Sequence, residues 1–285
     1  MSSFTSVIVD CDSTNWEDIF SAVIALCNTH LFLSTNNKLL VLAGGAKLAN
    51  KKFQEVETDK TGLYFSTLHP RTKVTPKTAL DFAKSLEIFL RKKLEENVNY
   101  EEPAPSQYSG AISLSICAFN KYSKQYPNSF GSIIIVNLAQ NLSNEHSTLM
   151  NLFFAAKHSS LVVNSVSLNG NVPILQQSSD ITGGTNVVLD NIKLLAQTVL
   201  SECLIASKTS LFTHPQQDID YRAVCHCHNK LLSIGWVCSV CLSVTCNYVP
   251  FCKICNAVFP RPLFLQQKRP PTKNVQQQQQ KRNEN

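Results

Sequence analysis

Several classes of protein are excluded by what this sequence lacks. It has no apolar run that approaches the roughly 20 residues of a membrane-spanning helix, so we expect no membrane segment. Its first residues, MSSFTSVIVDCD, carry no basic region ahead of the apolar stretch and reach an acidic residue at Asp10, which argues against a secretory signal. It contains neither G-x-G-x-x-G nor G-K-[ST], so the glycine pairs at 44–45 and 183–184 predict turns and not phosphate-binding loops.

Acidic residues are almost absent from the last part of the chain. The 285 residues carry a formal net charge of +6, but residues 221–285 hold 9 Lys and Arg against 1 acidic residue, whereas residues 1–220 hold 17 against 19. The basic balance therefore belongs to the C-terminal segment. A basic segment is a candidate for direct binding of nucleic acid, and we favour a solvated end over that function.

Cysteine is concentrated in the same segment. Seven of the 11 cysteines lie between Cys225 and Cys255, and two C-x-x-C pairs, Cys238 with Cys241 and Cys252 with Cys255, are separated by ten residues. This is the spacing of a zinc site closed by four thiolates, which has no open position for water and is structural. The metal would fold a segment whose own core is small. The side chains predicted for that core are Leu231, Leu232, Ile234, Trp236, Val249 and Phe251.

The other ligand-type side chains leave two arrangements open, so the chain is expected to bind one zinc ion or two. In a cross-braced module, Cys225 and Cys246 share a second metal with one or two of Cys227, His226 and His228. In a zinc ribbon, Cys225 and Cys227 instead pair with the first C-x-x-C. We favour the cross-braced grouping, with Cys225, Cys227, His228 and Cys246 as the second set.

Disulfides are the competing explanation for so many cysteines. They need an oxidising compartment, which a chain without an export signal does not reach. The cysteines outside the cluster stand in apolar surroundings and are predicted to be small buried hydrophobes. They are Cys11, Cys27, Cys117 and Cys203.

Strand patterns alternate with helix patterns in the first 205 residues. Apolar and β-branched runs predict strands at 3–10, 38–45, 62–68, 131–141 and 161–168 and a turn followed by a strand at 181–190, with 62–68 antiparallel at an edge. Apolar residues at helical spacing predict helices from Thr14 and at 78–97, 111–122, 147–158, 173–178 and 192–205. This alternation predicts an α/β fold with a mostly parallel sheet and helices on both faces.

The composition also divides the chain into segments. We expect an α/β domain over residues 1–208 and a polar linker over 209–220. A cysteine-rich zinc module follows at 221–260. Residues 261–285 form a basic, Gln-rich tail that is predicted to be disordered.

The loop DCDST after the first strand lies where such folds place their chemistry. Asp10, Asp12 and Thr14 match the D-x-D-x-T motif of haloacid-dehalogenase-type phosphatases, in which Asp10 is the nucleophile and Asp12 the acid and base. They also nearly match the metal-ion-dependent adhesion motif of von Willebrand A domains. Both sites need a carboxylate after a later strand, where this chain has Asn137. We therefore favour helix capping over a magnesium-dependent phosphatase or a metal site.

Two stretches of the chain resemble one family. The first lies between Tyr221 and Cys255 and contains YRA, C-x-C-H, IGWVCSVCLS, CN and the last C-x-x-C, and the second is LQQ followed by DITGG at 175–184. Both are similar to the thirty-four-kilodalton subunits of the transcription and repair factor TFIIH. The strand and helix order of residues 3–207 fits the von Willebrand A-like domain of that family.

The resemblance implies a non-enzymatic subunit of the nuclear TFIIH core. It implies that the A-like domain binds the forty-four-kilodalton zinc-bearing subunit, which regulates the DNA-repair helicase. The complex opens DNA in RNA polymerase II transcription initiation and in nucleotide excision repair. DNA is then contacted only through the complex, with no membrane and no small-molecule substrate. The resemblance implies zinc ligands at Cys238, Cys241, Cys252 and Cys255, and it extends to Cys225, Cys227 and Cys246.

Overall fold

The structure is a computed structural model. It describes residues 3–10, 16–34, 37–44, 64–66, 84, 88, 108–205 and 218–259. The chain divides into two compact units, Met1–Val224 and Cys225–Asn285. None of the helices in the described ranges is both long enough and apolar enough to cross a membrane.

A six-stranded sheet forms the centre of the first unit. Its strands are β1 (Ser3–Asp10), β2 (Lys38–Gly44), β3 (Tyr64–Ser66), β4 (Phe130–Asn137), β5 (Leu161–Ser167) and β6 (Asn186–Val188). They lie in the order β3-β2-β1-β4-β5-β6, and every neighbouring pair is parallel except β2 with β3. The predicted sheet, mostly parallel with one antiparallel edge strand, is confirmed.

The sheet buries a separate core on each face because successive side chains of a strand point to opposite sides. Val7 and Ile134 lie in one core, whereas Ile8 and Ile133 lie in the other. All four side chains are 0% exposed. Burial on both faces explains the unbroken apolar runs within these strands, Val7–Val9 in β1 and Ile133–Val136 in β4.

Helices cover both faces of the sheet. The first core packs against α1 (Trp16–Leu33) and against α5 (Leu195–Thr198), which continues as a π-helix over Val199–Ile205. The second core packs against α2 (Ser109–Gln125), α3 (His146–His158) and α4 (Pro173–Thr182). Short 3-10 turns at Ser143–Glu145 and Ile192–Leu194 precede α3 and α5. The helices predicted at 111–122, 147–158, 173–178 and 192–205 are present, and α4 runs on to Thr182.

Several predictions fall outside the described residues. These are the helix start and the capping at Asp12, Ser13 and Thr14, the state of Cys11, most of the helix at 78–97, and the tail at 261–285. Within 78–97 the structure describes Lys84 and Ile88, both helical and both exposed. Cys27 and Cys203 are buried as predicted, but Cys117 is exposed, so the prediction of a buried side chain was wrong there.

The turn after α4 shows why the DITGG stretch has its sequence. Gly183 ends the helix at a φ of +75°, which strains any residue with a Cβ. A Cβ on Gly184 would lie 2.0 Å from the carbonyl oxygen of Val163 in β5. The Thr182 hydroxyl accepts a hydrogen bond from Val163 N–H at 3.0 Å. The turn therefore holds α4 directly against the neighbouring strand.

Hydrogen bonds also join α4 to residues 220 and 221. Gln177 Nε2 donates to the carbonyl of Asp220 at 2.5 Å, and the Tyr221 hydroxyl donates to the Asp180 carboxylate. The bond to Asp180 raises the pKa of Tyr221. The two stretches that carry the family resemblance therefore touch each other within the first unit.

The second unit has little regular structure. Its described strands are β8 (Leu231–Leu232), β9 (Trp236–Val237) and β10 (Val244–Thr245), and β7 (Ala223–Val224) precedes it in the chain. Strands β9 and β10 form an antiparallel pair. The Trp236 and Tyr248 rings meet edge to face, with their centroids 5.5 Å apart. These short elements position the cysteine side chains described next.

Candidate metal centre

Two turns of the second unit bring four cysteine sulfurs together. The Sγ atoms of Cys238, Cys241, Cys252 and Cys255 all lie within 4.8 Å of one another. Cys238 Sγ is 3.6 Å from Cys255 Sγ, and Cys241 Sγ is 3.5 Å from Cys252 Sγ. Four sulfurs at about 2.3 Å from a zinc ion stand about 3.8 Å apart at the corners of a tetrahedron. The spacing of these sulfurs therefore fits zinc.

The first C-x-x-C pair lies on a tight turn that we call a knuckle, formed by residues 238–243. Cys238 N–H donates to the carbonyl of Ser243 at 2.9 Å, and Leu242 N–H donates to the carbonyl of Cys238 at 2.9 Å. Leu242 closes the turn at a φ of +59°. The turn places the first and fourth residues, Cys238 and Cys241, on the same metal-binding group.

The second C-x-x-C pair lies on the same turn, formed by residues 252–257. Cys252 N–H donates to the carbonyl of Ala257 at 2.8 Å, and Asn256 N–H donates to the carbonyl of Cys252 at 2.9 Å. Asn256 has a φ of +58°, a conformation that asparagine adopts more readily than most residues. The first and fourth residues, Cys252 and Cys255, again supply the sulfurs.

Hydrogen bonds to two of the sulfurs, those of Cys241 and Cys252, favour the ionised form, which is the form that binds metal, whereas desolvation and the neighbouring sulfurs raise the pKa of Cys255 to about 12. Ser243 Oγ lies 3.1 Å from Cys241 Sγ and 3.5 Å from Cys252 Sγ, and Ile254 N–H donates to Cys252 Sγ at 3.4 Å. The backbone N–H of Cys255, the Ser243 hydroxyl and Ile254 N–H lower the pKa of Cys252 to about 5. The Ser243 hydroxyl lowers the pKa of Cys241.

The remaining predicted ligands form a second group of their own. Cys225, Cys227, His228 and Cys246 place one ligand atom each within 4.8 Å of the others. Cys225 and Cys227 therefore lie with Cys246, as in the cross-braced grouping. His226 is exposed, and its backbone N–H donates to the carbonyl of Val244 at 2.9 Å.

The apolar core predicted for this module was wrong in part. Ile234 is 90% exposed, Phe251 is 54% exposed and Trp236 is 38% exposed. Among the described residues of 225–259, the buried ones are Cys225, Cys238 and Cys252. The segment is too short to surround an apolar cluster, so cysteine occupies its interior.

Asp10, the first residue of the DCDST motif, is the last residue of β1 and is shielded from solvent. Asp10 is 0% exposed, and the Tyr108 hydroxyl lies 2.8 Å from both Asp10 Oδ2 and Asn137 Oδ1. Asn137 is held in turn, because its Nδ2 donates to the Ala139 carbonyl at 2.9 Å and to Ser167 Oγ at 3.3 Å. A tyrosine hydroxyl thus bridges the ends of β1 and β4. Sequence reasoning missed Tyr108, since it lies outside the motif.

Comparisons with known proteins match both units. A family model described as "Transcription factor Tfb4" matches residues 3–256. General transcription factor IIH subunit 3 of Dictyostelium discoideum is 30% identical over 173 residues, which cover 59% of this chain and 46% of that protein. General transcription and DNA repair factor IIH subunit tfb4 of Schizosaccharomyces pombe is 27% identical over 278 residues, which cover 90% of this chain and 89% of that protein.

A solved structure supports the fold. The crystal structure of the TFIIH p34 N-terminal domain matches with a TM-score of 0.54 and 20% identity, and the match covers 70% of this chain and 96% of that one. The family match includes the sheet, the DITGG turn and both C-x-x-C pairs. The resemblance predicted from two short stretches is therefore confirmed, and the chain belongs to the transcription factor Tfb4 family.

Proposed function

We propose that this chain is a structural subunit of TFIIH with a role in transcription and DNA repair. The observation that carries this proposal is the family match over residues 3–256, which spans the sheet and both C-x-x-C pairs. Relatives named as subunits of general transcription and DNA repair factor IIH are matched over most of their length, 89% in Schizosaccharomyces pombe and 83% in Arabidopsis thaliana.

The Tfb4 family is one of structural subunits and is not known for catalysis, so the prediction of a chain without enzymatic activity is confirmed. The phosphatase alternative does not hold. Its nucleophile would be Asp10, and that carboxylate is fully buried and bonded to Tyr108. A nucleophile has to reach its substrate, which this side chain does not do.

Within the complex, the A-like domain binds the forty-four-kilodalton zinc-bearing subunit and so supports helicase-driven opening of DNA. The chain resides in the nucleus, and it contacts DNA only through the complex. Two adjacent apolar side chains at the C-terminal end of α1 are the candidate contact, because neighbouring exposed apolar groups favour protein contacts. They are Phe32 and Leu33, which are 54% and 56% exposed.

The four-cysteine group holds one zinc ion. Cys238, Cys241, Cys252 and Cys255 supply all four positions of a tetrahedral site, so the metal stabilises the fold and takes no part in chemistry. The knuckle turns and the short distances between sulfurs support this assignment.

Purification of the tagged chain from nuclear extract at moderate salt tests the assembly. We expect mass spectrometry to find the forty-four-kilodalton subunit and the helicase subunits in stoichiometric amounts. A Cys252→Ser variant should still recover the forty-four-kilodalton subunit, because it leaves the sheet domain unchanged. If Cys252→Ser lost only the forty-four-kilodalton subunit, the zinc module and not the sheet domain would be the part that binds it.

Recovery of the chain alone would contradict the proposal. The basic segment would then point to direct binding of nucleic acid. That function predicts an affinity for DNA that falls steeply with salt and is lost when residues 221–285 are deleted. Binding that does not depend on salt would exclude it.

A further inference from the structure

The second ligand group lies on a third copy of the knuckle turn. Cys225 N–H donates to the carbonyl of Lys230 at 2.8 Å, and Asn229 N–H donates to the carbonyl of Cys225 at 2.8 Å. Asn229 has a φ of +52°. These are the same two hydrogen bonds and the same left-handed residue that shape the turns at Cys238 and Cys252. The sequence hides the repeat, because only two of the three turns read C-x-x-C.

The fourth residue of the third knuckle is His228. In the other two knuckles the first and fourth residues are the paired cysteines, so the turn makes Cys225 and His228 the corresponding pair. Their ligand atoms, Cys225 Sγ and His228 Nδ1, are 3.8 Å apart. The third knuckle is therefore a C-x-x-H pair with an additional cysteine, Cys227, between its members.

Burial supports the equivalence of the three turns. Cys225, Cys238 and Cys252, the first residues of the knuckles, are 0%, 7% and 3% exposed. They are the buried residues among those described in 225–259. Each knuckle thus turns its first sulfur inward, as a metal ligand at the centre of a small module requires.

Two further cysteines complete the group. Cys246 Sγ is 3.3 Å from His228 Nδ1 and 3.6 Å from Cys227 Sγ, and Cys227 Sγ is 2.9 Å from Cys225 Sγ. Ligands of a tetrahedral zinc ion stand about 3.8 Å apart for two sulfurs and about 3.6 Å apart for a sulfur and a nitrogen. The contacts to Cys246 and the knuckle pair lie near these values, and the Cys225–Cys227 spacing is shorter.

We propose that Cys225, Cys227, Cys246 and His228 Nδ1 bind a second zinc ion. Three thiolates and one imidazole suit zinc, which prefers sulfur and nitrogen ligands in a tetrahedron. With all four positions taken by protein, this site is also structural. The chain thus carries two zinc ions, one in a four-cysteine site and one in a three-cysteine, one-histidine site.

The two sites are interleaved along the chain. Cys246 of the second site lies between the two C-x-x-C pairs of the first, and the first of those pairs lies between His228 and Cys246. The backbone joins them as well, because His226 N–H donates to the Val244 carbonyl and β10 pairs with β9. Each metal therefore fixes a segment that the other site also needs.

The experiment counts metal in the full chain and uses the neighbouring histidine as a matched control. We expect two zinc ions per wild-type chain by native mass spectrometry, and two in His226→Asn. His228→Asn should lose one of its two zinc ions at a chelator concentration at least about 100-fold lower than the wild type requires. Substitutions of residues that only contact a zinc ligand already weaken zinc binding about 10- to 100-fold, and His228 would be a ligand itself. One zinc in the wild type, or equal behaviour of the two variants, would overturn the proposal.

A second variant separates loss of a ligand from loss of folding. His228→Cys turns the third knuckle into C-x-x-C and should keep two metals. With cadmium-113 in place of zinc, the wild type should give one resonance typical of four sulfurs and one typical of three sulfurs and a nitrogen. In His228→Cys the second resonance should move to the four-sulfur region while the first stays. A wild type with one resonance and a Cys225–Cys227 disulfide would exclude the site, without bearing on the assignment to TFIIH.

Discussion

The two units of this chain are stabilised in different ways. In Met1–Val224, a sheet buries one apolar core on each face, and residues such as Ile134, Ile135 and Phe153 are completely buried. In Cys225–Asn285, the buried residues among those described are three cysteines, while Ile234 and Val258 are 90% and 80% exposed. The first unit has enough chain to surround an apolar interior, and the second does not.

This difference teaches where each unit draws its free energy of folding. Apolar burial contributes about 25 cal/mol per Å² and grows with the size of a core, so it suffices for the sheet domain. A short segment without such a core needs metal–ligand bonds, and a structural zinc ion contributes about 10–16 kcal/mol in small modules. The two units should therefore unfold independently, the first after substitution of a core residue and the second after loss of a metal ligand.

The largest effect is expected from removing a zinc ligand. Cys252→Ser should unfold the cysteine module, because the four-cysteine site then loses a buried ligand on which its second knuckle depends. Hydrogen exchange should become fast over residues 225–259 and stay slow in β4. Cys117→Ser is the control, since that cysteine is exposed on α2 and lies outside both groups. If melting of the helical signal also collapses in Cys252→Ser, the two units share their stability.

A core deletion tests the comparison from the other side. Phe153→Ala should lower the free energy of unfolding of the sheet domain by about 3–5 kcal/mol, because it leaves a cavity under α3. Phe154→Ala, one residue along and 55% exposed, should change it by about 0.5 kcal/mol or less. Urea unfolding followed by far-ultraviolet circular dichroism measures both. Zinc content should be unchanged in both variants, and loss of zinc from Phe153→Ala would show that the module depends on the core.

A smaller effect is expected at the closed end of the sheet. Tyr108→Phe removes the hydroxyl that bridges Asp10 and Asn137, so two buried polar groups lose a partner. The cost should be about 1.5–3 kcal/mol, the usual contribution of a hydrogen bond to a charged group, because the Asp10 carboxylate loses one such bond while Asn137 Oδ1 keeps the Ala139 N–H. Tyr126→Phe, at the half-buried C-cap of α2, serves as the control. Equal melting temperatures for the two variants would mean that the hydroxyl contributes nothing to stability.

Much of the first unit could be predicted because its signals are local. The unbroken run from Ile133 to Val136 marks a strand buried on both faces, and the observed β4 includes it. The bridge from Tyr108 to Asp10 could not be predicted, because it joins residues 98 positions apart through the packing of α2 on β1. Nothing in the sequence of the DCDST motif indicates that Tyr108 is the residue that contacts Asp10.

The module shows the opposite balance. Cysteine spacing alone grouped the two C-x-x-C pairs, since the knuckle is a local turn. The prediction of an apolar core was wrong for Ile234 and Phe251. Both are as hydrophobic as core residues, but they lie in a segment too short to bury them. The spacing from Cys225 to His228 equals that of the other pairs, and that equality was the available signal for the third knuckle.

The smallest effect is expected where one knuckle departs from the other two. The left-handed position is Asn229 in the Cys225 knuckle and Asn256 in the Cys252 knuckle, but Leu242 in the Cys238 knuckle. A left-handed backbone costs most residues about 1–2 kcal/mol and costs asparagine less. Leu242 is 72% exposed, so its side chain contributes little packing in return. Leu242→Asn should therefore stabilise the zinc-bound module by about 0.5–1 kcal/mol, which is about a two- to fivefold gain in zinc affinity.

A competition titration with a chelator measures this gain. Val240→Asn is the matched control, because Val240 is 67% exposed in the same turn and is not among the residues with positive φ. Its zinc affinity should stay unchanged. An equal gain from both substitutions would mean that a polar side chain on the exposed turn causes the effect, and not the left-handed backbone. No gain from Leu242→Asn would mean that the metal alone holds the Cys238 knuckle in its conformation, so that the strain at Leu242 does not affect zinc binding. The contrast with the sheet domain would then be sharper, because the backbone of that domain is held by side-chain packing.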